Sequence, residues 1–175
     1  MADCVEALKQ WTGKSTATTI FDSTVDEFTD DGLFNKVQGQ PNIALIGFTT
    51  DGDVFGGFYS VAVTQRDECI YDSNIFVFSF ESHGRCETPQ RFAVKEVWKQ
   101  YANVRFWKNN NNHGFVVFWV DGAGGFYLGN ERFDSFCYDL SHGFEGIQDT
   151  TPTGKSGLGD EDEHSCTRLI AIQLS

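Results

Sequence analysis

Two short stretches set a histidine close to a cysteine, "HGRC" at 83–86 and "HSC" at 164–166. Two imidazoles and two thiols are enough for a tetrahedral metal centre if the fold joins them, although the spacing follows no structural zinc pattern. Thiol chemistry is the other reading. His83 and Arg85 accompany Cys86, and His164 and Arg168 accompany Cys166. Positive neighbours favour the thiolate, the form that reacts with oxidants, so Cys86 and Cys166 are the redox candidates. Cys69 sits in an acidic turn between Glu68 and Tyr71, which suits a thiolate less, and Cys137 falls in an apolar run that points to the core.

Carboxylates offer a third chemistry. The run "DTTPTGKSGLGD" (149–160) sets Asp149, Thr151, Thr153, Gly154 and Asp160 in the frame of a calcium loop. Such loops carry more carboxylates, close on a bidentate Glu and lie between helices, whereas this one contains Pro152 and is flanked by strand-like sequence. Asp149, Asp160 and Asp162 are the cation candidates, against the reading of a solvated acidic loop. Two fragments, "TGKST" (12–16) and "TGKSG" (153–157), resemble a phosphate loop but hold Leu8 and Asp149 where its first glycine is required. "GDVFGGF" and "DGAGGFYLG" resemble a dinucleotide fingerprint, yet further strand follows them where a helix is needed. The four histidines (His83, His113, His142 and His164) all fall in loops, and no Ser-His-Asp pattern stands out. The expectation is therefore no catalytic motif and no cofactor.

Charge narrows the partners. Thirteen Lys and Arg against twenty-five Asp and Glu give a net charge of −12. A surface so acidic repels nucleic-acid phosphates and anionic lipid, and favours a basic protein face or a cation. No stretch has the length of a membrane span, and no secretory leader opens the chain. Five cysteines at irregular spacing, with no CxxC pair, point to reduced thiols and a cytoplasmic protein, with nuclear or organelle-associated placement left open.

These residues need elements to hold them. Asp3 and Glu6 have capping-box spacing at the head of an N-terminal helix, and "TATTIFDS" reads as a first strand. Thr24 and Glu27 repeat the spacing and predict a short, broken acidic helix, closed by Gly39 and Pro41. From residue 42 the period falls to two. Nine runs rich in Phe, Val, Ile and Tyr, among them "NIALIGFT", "DVFGGFYSVAV", "NIFVFSFE", "HGFVVFWVD" and "RLIAIQL", lie between turn residues. They predict a mainly β chain with flanking short helices, folded as a β-sandwich of two antiparallel sheets. In "NIFVFSFE" the alternation sets Phe76, Phe78 and Phe80 opposite Ile75, Val77 and Ser79. Gly56 and Gly57 lie inside a strand, where glycine marks a bulge or a close approach. The length predicts one domain over residues 1–175.

The ordered set "TIFDS", "NIALIGFTTDGDVFGGFYSVAV", "DSNIFVFSFES" and "GGFYLGN" resembles the TLDc domain from about Trp11 to Leu174. The FGG strand followed by F-x-F-S-F is the most specific part. The family's tryptophan after the FGG strand is missing, as is its Gly-Ser-Ser-x-x-Cys-x-Thr-Phe segment, and "RLIAIQLS" replaces an ending in Glu-Val-Trp. The resemblance implies a stand-alone β-sandwich that gives resistance to oxidative stress by binding proteins, among them the vacuolar proton-translocating ATPase. It supplies no catalytic residues, and it assigns Gly56 and Gly57 an architectural role. The acidic loop 142–164, above all Asp160, Glu161, Asp162 and Glu163, and the acidic segment 22–31 are the expected partner surfaces. A thiol-based or metal-assisted redox enzyme using Cys86 or Cys166 is the alternative.

Overall fold

The computed structural model describes residues 1–108, 114–130, 137–155 and 165–175. The chain opens with helix α1 (Ala2–Thr12), closed by Gly13 in the left-handed conformation, and continues into strand β1 (Ala17–Asp22) and helix α2 (Asp30–Val37). Strands β2 (Ile43–Thr49) and β3 (Val54–Tyr59) form a hairpin. They are followed by β4 (Ile70–Tyr71), β5 (Phe76–Glu81) and β6 (Gln90–Ala93). A 3₁₀ turn (Glu96–Tyr101) leads to β7 (Ala102–Phe106), β8 (Val116–Val120) and β9 (Gly125–Leu128). The short β10 (Cys137–Tyr138), α3 (Leu140–Gly143) and the long β11 (Cys166–Leu174) complete the order.

Among the described residues the strands form two antiparallel sheets, in the orders β1-β11-β2-β3-β5-β6 and β10-β9-β8-β7-β4. The predicted two-sheet sandwich is what the chain builds. All nine predicted runs carry a strand, while β4 was not foreseen because two residues are too few to show alternation. Between the sheets lies an aromatic interior. Phe118 stacks on Phe126 with centroids 5.0 Å apart, Phe55 meets Phe126 edge-on, and Tyr59 meets Phe106 edge-on. The alternation in β5 holds: Val77 faces this interior, whereas Phe76, Phe78 and Phe80 face outward and pack with Leu8 and Trp11 of α1.

Gly56 and Gly57 serve this layering. A Cβ on Gly57 would lie 2.8 Å from the Phe118 ring of the opposite sheet. One on Gly56 would collide with the Leu45 carbonyl oxygen and lie 2.8 Å from the Phe78 ring. Neither gap between atoms is one a real side chain tolerates, so the pair lets an aromatic ring close on the strand from each side.

Both predicted capping boxes are corrected. α1 begins at Ala2, with Met1 as its cap, so Asp3 already lies in the first turn. α2 begins later than Thr24 foretold, because Asp22 organises residues 22–26 as a turn instead. Its Oδ1 accepts from the N–H and hydroxyl of Thr24, at 3.0 and 2.8 Å. Thr29 is the working cap, accepting from the Gly32 N–H at 3.0 Å.

Candidate functional site

The predicted chemistry converges on one end of the sandwich. The β2–β3 hairpin turns through Gly52 at φ 89°, and the segment after β5 turns through His83 and Gly84, both at positive φ. In the second turn the Glu81 carboxylate accepts from the N–H groups of His83 and Ser82 at 2.7 and 2.9 Å, which lowers its pKa. The two turns present Asp53 and Arg85 to each other. Asp53 is 1% exposed, and its Oδ1 accepts from Arg85 Nη2. The same guanidinium donates to the carbonyls of Thr151 and Pro152, each at 3.0 Å. One side chain thus binds three segments: the hairpin, the 82–86 turn and the 148–154 loop. A buried ion pair gives little net stability, but removing one partner strands the other charge, at a cost of about 3–5 kcal/mol.

That clamp determines what Cys86 experiences. Along the chain Arg85 and His83 are its activating neighbours, but Arg85 turns to Asp53 and the loop carbonyls. The His83 Nε2 lies 2.9 Å from the Asp51 carbonyl oxygen and 3.6 Å from Asp53 Oδ1. The Cys86 thiol is 3.4 Å from the Ser82 hydroxyl. Cys166 is wholly buried, on the inner face of β11 beside Gly47, and Arg168 is committed to Asp22. Cys137 lies in the same interior. Burial pushes its thiol up, Cys166 adds to the shift, and the Thr153 hydroxyl opposes it. A thiol so raised stays protonated and is a poor nucleophile.

The cation candidates separate. Asp149 Oδ1 accepts from the Ser141 N–H at 2.8 Å, a local turn contact. Asp160 and Asp162 lie outside the described residues, as do His164, Glu161 and Glu163. Among the described residues no three His, Cys, Asp or Glu side chains gather as a metal would require. In the loop that fitted the calcium frame, two carbonyls face a guanidinium instead.

The acidic segment 22–31 spends much of its charge within the fold. Asp22 takes both arms of Arg168, at 3.0 and 2.5 Å, and this hydrogen bonding holds its carboxyl well below the ordinary range. Asp26 meets Lys36 at 3.0 Å, and Arg66 bridges Asp30 and Asp31 at 3.3 and 2.6 Å. Glu27 remains exposed.

A second surface escaped sequence reasoning. The outer face of the five-stranded sheet carries Arg105, Val117, Trp119 and Tyr127 around a cavity of about 230 Å³. Trp119 stacks on Tyr138 at 6.1 Å, and Arg105 lies 4.6 Å over Trp107 while touching the Cys69 sulfur. Part of the signal was available: Asn103, Arg105 and Trp107, at every second position of "NVRFW", mark a face left uncovered, whereas "VVFWV" offers only Trp119.

With this geometry in hand, the comparisons decide the family. The model of the TLDc domain matches residues 3–157. The chain belongs to the TLDc domain family. No curated protein matches it. TLDc domains are protein-interaction modules, and membership fits a role tied to oxidative stress. The match spans the FGG strand and both sheets but stops before β11, which occupies the place between β1 and β2. Among the described residues of this TLDc domain no helix is long and apolar enough to cross a membrane.

Proposed function

We propose that this TLDc domain is a non-enzymatic docking module of oxidative-stress resistance, acting in the cytoplasm on a partner with a basic contact face. The vacuolar proton-translocating ATPase is the partner that the family resemblance implies. The family match over residues 3–157 carries the reading. The net charge of −12 sets the chemistry of the partner surface, and steering by such a charge weakens as salt rises. Arg85 and His83 are engaged elsewhere rather than with Cys86, and Arg168 is held by Asp22, which favours docking over a thiol enzyme.

The test is capture of the purified peripheral sector of that ATPase by the full chain, at low and high salt. Capture that falls with salt, and falls again when Asp160, Glu161, Asp162 and Glu163 are replaced by Lys, supports the reading. Failure of the parent chain to capture any subunit overturns the partner. Peroxide protection in cells that survives Cys86→Ser and Cys166→Ala supports docking, and its loss with either folded variant supports the redox alternative.

A further inference from the structure

A cavity of about 290 Å³ opens where the end of α1 meets the outer face of the six-stranded sheet. Its floor is aromatic. Phe58 and Phe76 stack with centroids 4.9 Å apart, and Trp11 stands edge-on to Phe76 at 6.1 Å. Its rim is cationic, with Lys14 just past the helix and Arg91 on β6. The Arg91 guanidinium lies 5.5 Å above the Phe76 ring and donates to the Trp11 carbonyl at 2.8 Å. No carboxylate lines the cavity. Among the described residues neither Lys14 nor Arg91 forms an ion pair. The buried Asp72 nearby is already occupied by the Ser60 N–H and hydroxyl and by the Asn74 N–H.

In a chain of charge −12, two cations over an aromatic floor reverse the local sign. Cations also suit the partial negative charge of a helix C-terminus, and the Arg91 bond to Trp11 serves that purpose. It uses one N–H of the guanidinium and leaves the Lys14 amine at the cavity rim unexplained. We propose that this cavity binds a small oxyanion carried on a flat apolar ring. Lys14 and the remaining N–H groups of Arg91 hold the carboxylate or phosphate, and Phe58, Phe76 and Trp11 hold the ring. The volume equals that of about ten waters, which admits a single ring with its acid group.

Calorimetry on the full chain tests this with phenyl phosphate, benzoate, inorganic phosphate and benzyl alcohol, together with the Trp11 indole N–H resonance. The two ring acids bind and shift that resonance. Benzyl alcohol, which lacks the charge-assisted contact, and inorganic phosphate, which lacks the buried ring, each bind at least about tenfold more weakly. The stronger acid tells phosphate from carboxylate. Lys14→Gln, at a half-buried position, and Arg91→Gln each weaken the ring acids about tenfold. The proposal is overturned if neither acid moves Trp11, if inorganic phosphate binds as well as phenyl phosphate, or if both variants bind like the parent. Variants that melt lower in a chain that binds no acid overturn it too, since the cations then only close the helix.

Discussion

Trp11 and Trp119 lie on opposite outsides of the sandwich, and the chain finishes the two faces by different means. Trp11 belongs to a helix laid over Phe76, Phe78 and Phe80, stacking on Phe80 at 5.9 Å. Trp119 belongs to the strand itself and is flanked by Tyr127 and Tyr138, with Arg105 and Asn103 on the neighbouring strand. Phenylalanine has no polar end, so a face built from it must be covered. Tryptophan, tyrosine and arginine join an apolar body to a polar tip and can meet water while shielding the sheet beneath. On this second face the Tyr71 hydroxyl donates to Asp121 at 2.8 Å, which raises the pKa of the tyrosine, and Asn103 donates to the same carboxylate at 3.2 Å. One face needs a roof, while the other is its own.

The sharpest way to break this comparison is to fill the strand that both layers close upon. Gly57→Val and Gly56→Val drive a side chain into Phe118 and into Phe78, and each is expected to leave no cooperative unfolding transition by circular dichroism. A parent-like melt of either variant would show that the rings do not depend on the glycines. The next largest effect is the contrast itself. Trp11→Ala should destabilise by about 3 kcal/mol in urea unfolding, because it opens a cavity above packed rings. Trp119→Ala should cost about 1 kcal/mol, because its neighbours remain half-solvated. Equal losses would refute the roofed and self-finished reading.

At the Phe48 end of the roofed face, the Arg168 guanidinium lies 5.3 Å above the Phe48 ring and grips Asp22. The Asp22 pKa is depressed from its ordinary value of 3.8, so the pair contributes stability above that pH and loses it as pH falls toward the folded value. Asp22→Asn should therefore melt below the parent at pH 7 by a margin that narrows on acidification below about 4. A margin constant with pH would mean the carboxylate's charge does not matter there. The smallest effect belongs to the layer shared by both sheets. Tyr59 is fully buried, and its hydroxyl has no partner among the described residues. Burial raises its pKa. Tyr59→Phe should change stability by less than about 1 kcal/mol, or raise it, since no hydrogen bond is lost.

Much of this architecture was legible because period-two patterning is local. The F-x-F-x-F alternation of β5 told that its phenylalanines share one face, and the strand setting of Gly56 and Gly57 told against a phosphate cradle. What escaped depends on residues far apart in the chain. The Thr24 capping box lost to a turn that Arg168 anchors across 146 positions. Neighbouring letters placed Arg85 beside Cys86, but side chains alternate in direction, and the guanidinium found its partners 32 and 66 positions away. The cationic rim over Phe76 joins residues 80 apart through the Arg91 bond to Trp11, which no local window contains.

The position of β11 bears on synthesis. β1, made long before β11, pairs with it, and so does β2 on its other side. Until a ribosome has passed residue 174, the nascent chain therefore carries two unmatched strand edges. Those edges are templates for pairing with other chains. Translation that stalls before residue 174 should yield an aggregation-prone fragment rather than a smaller folded domain.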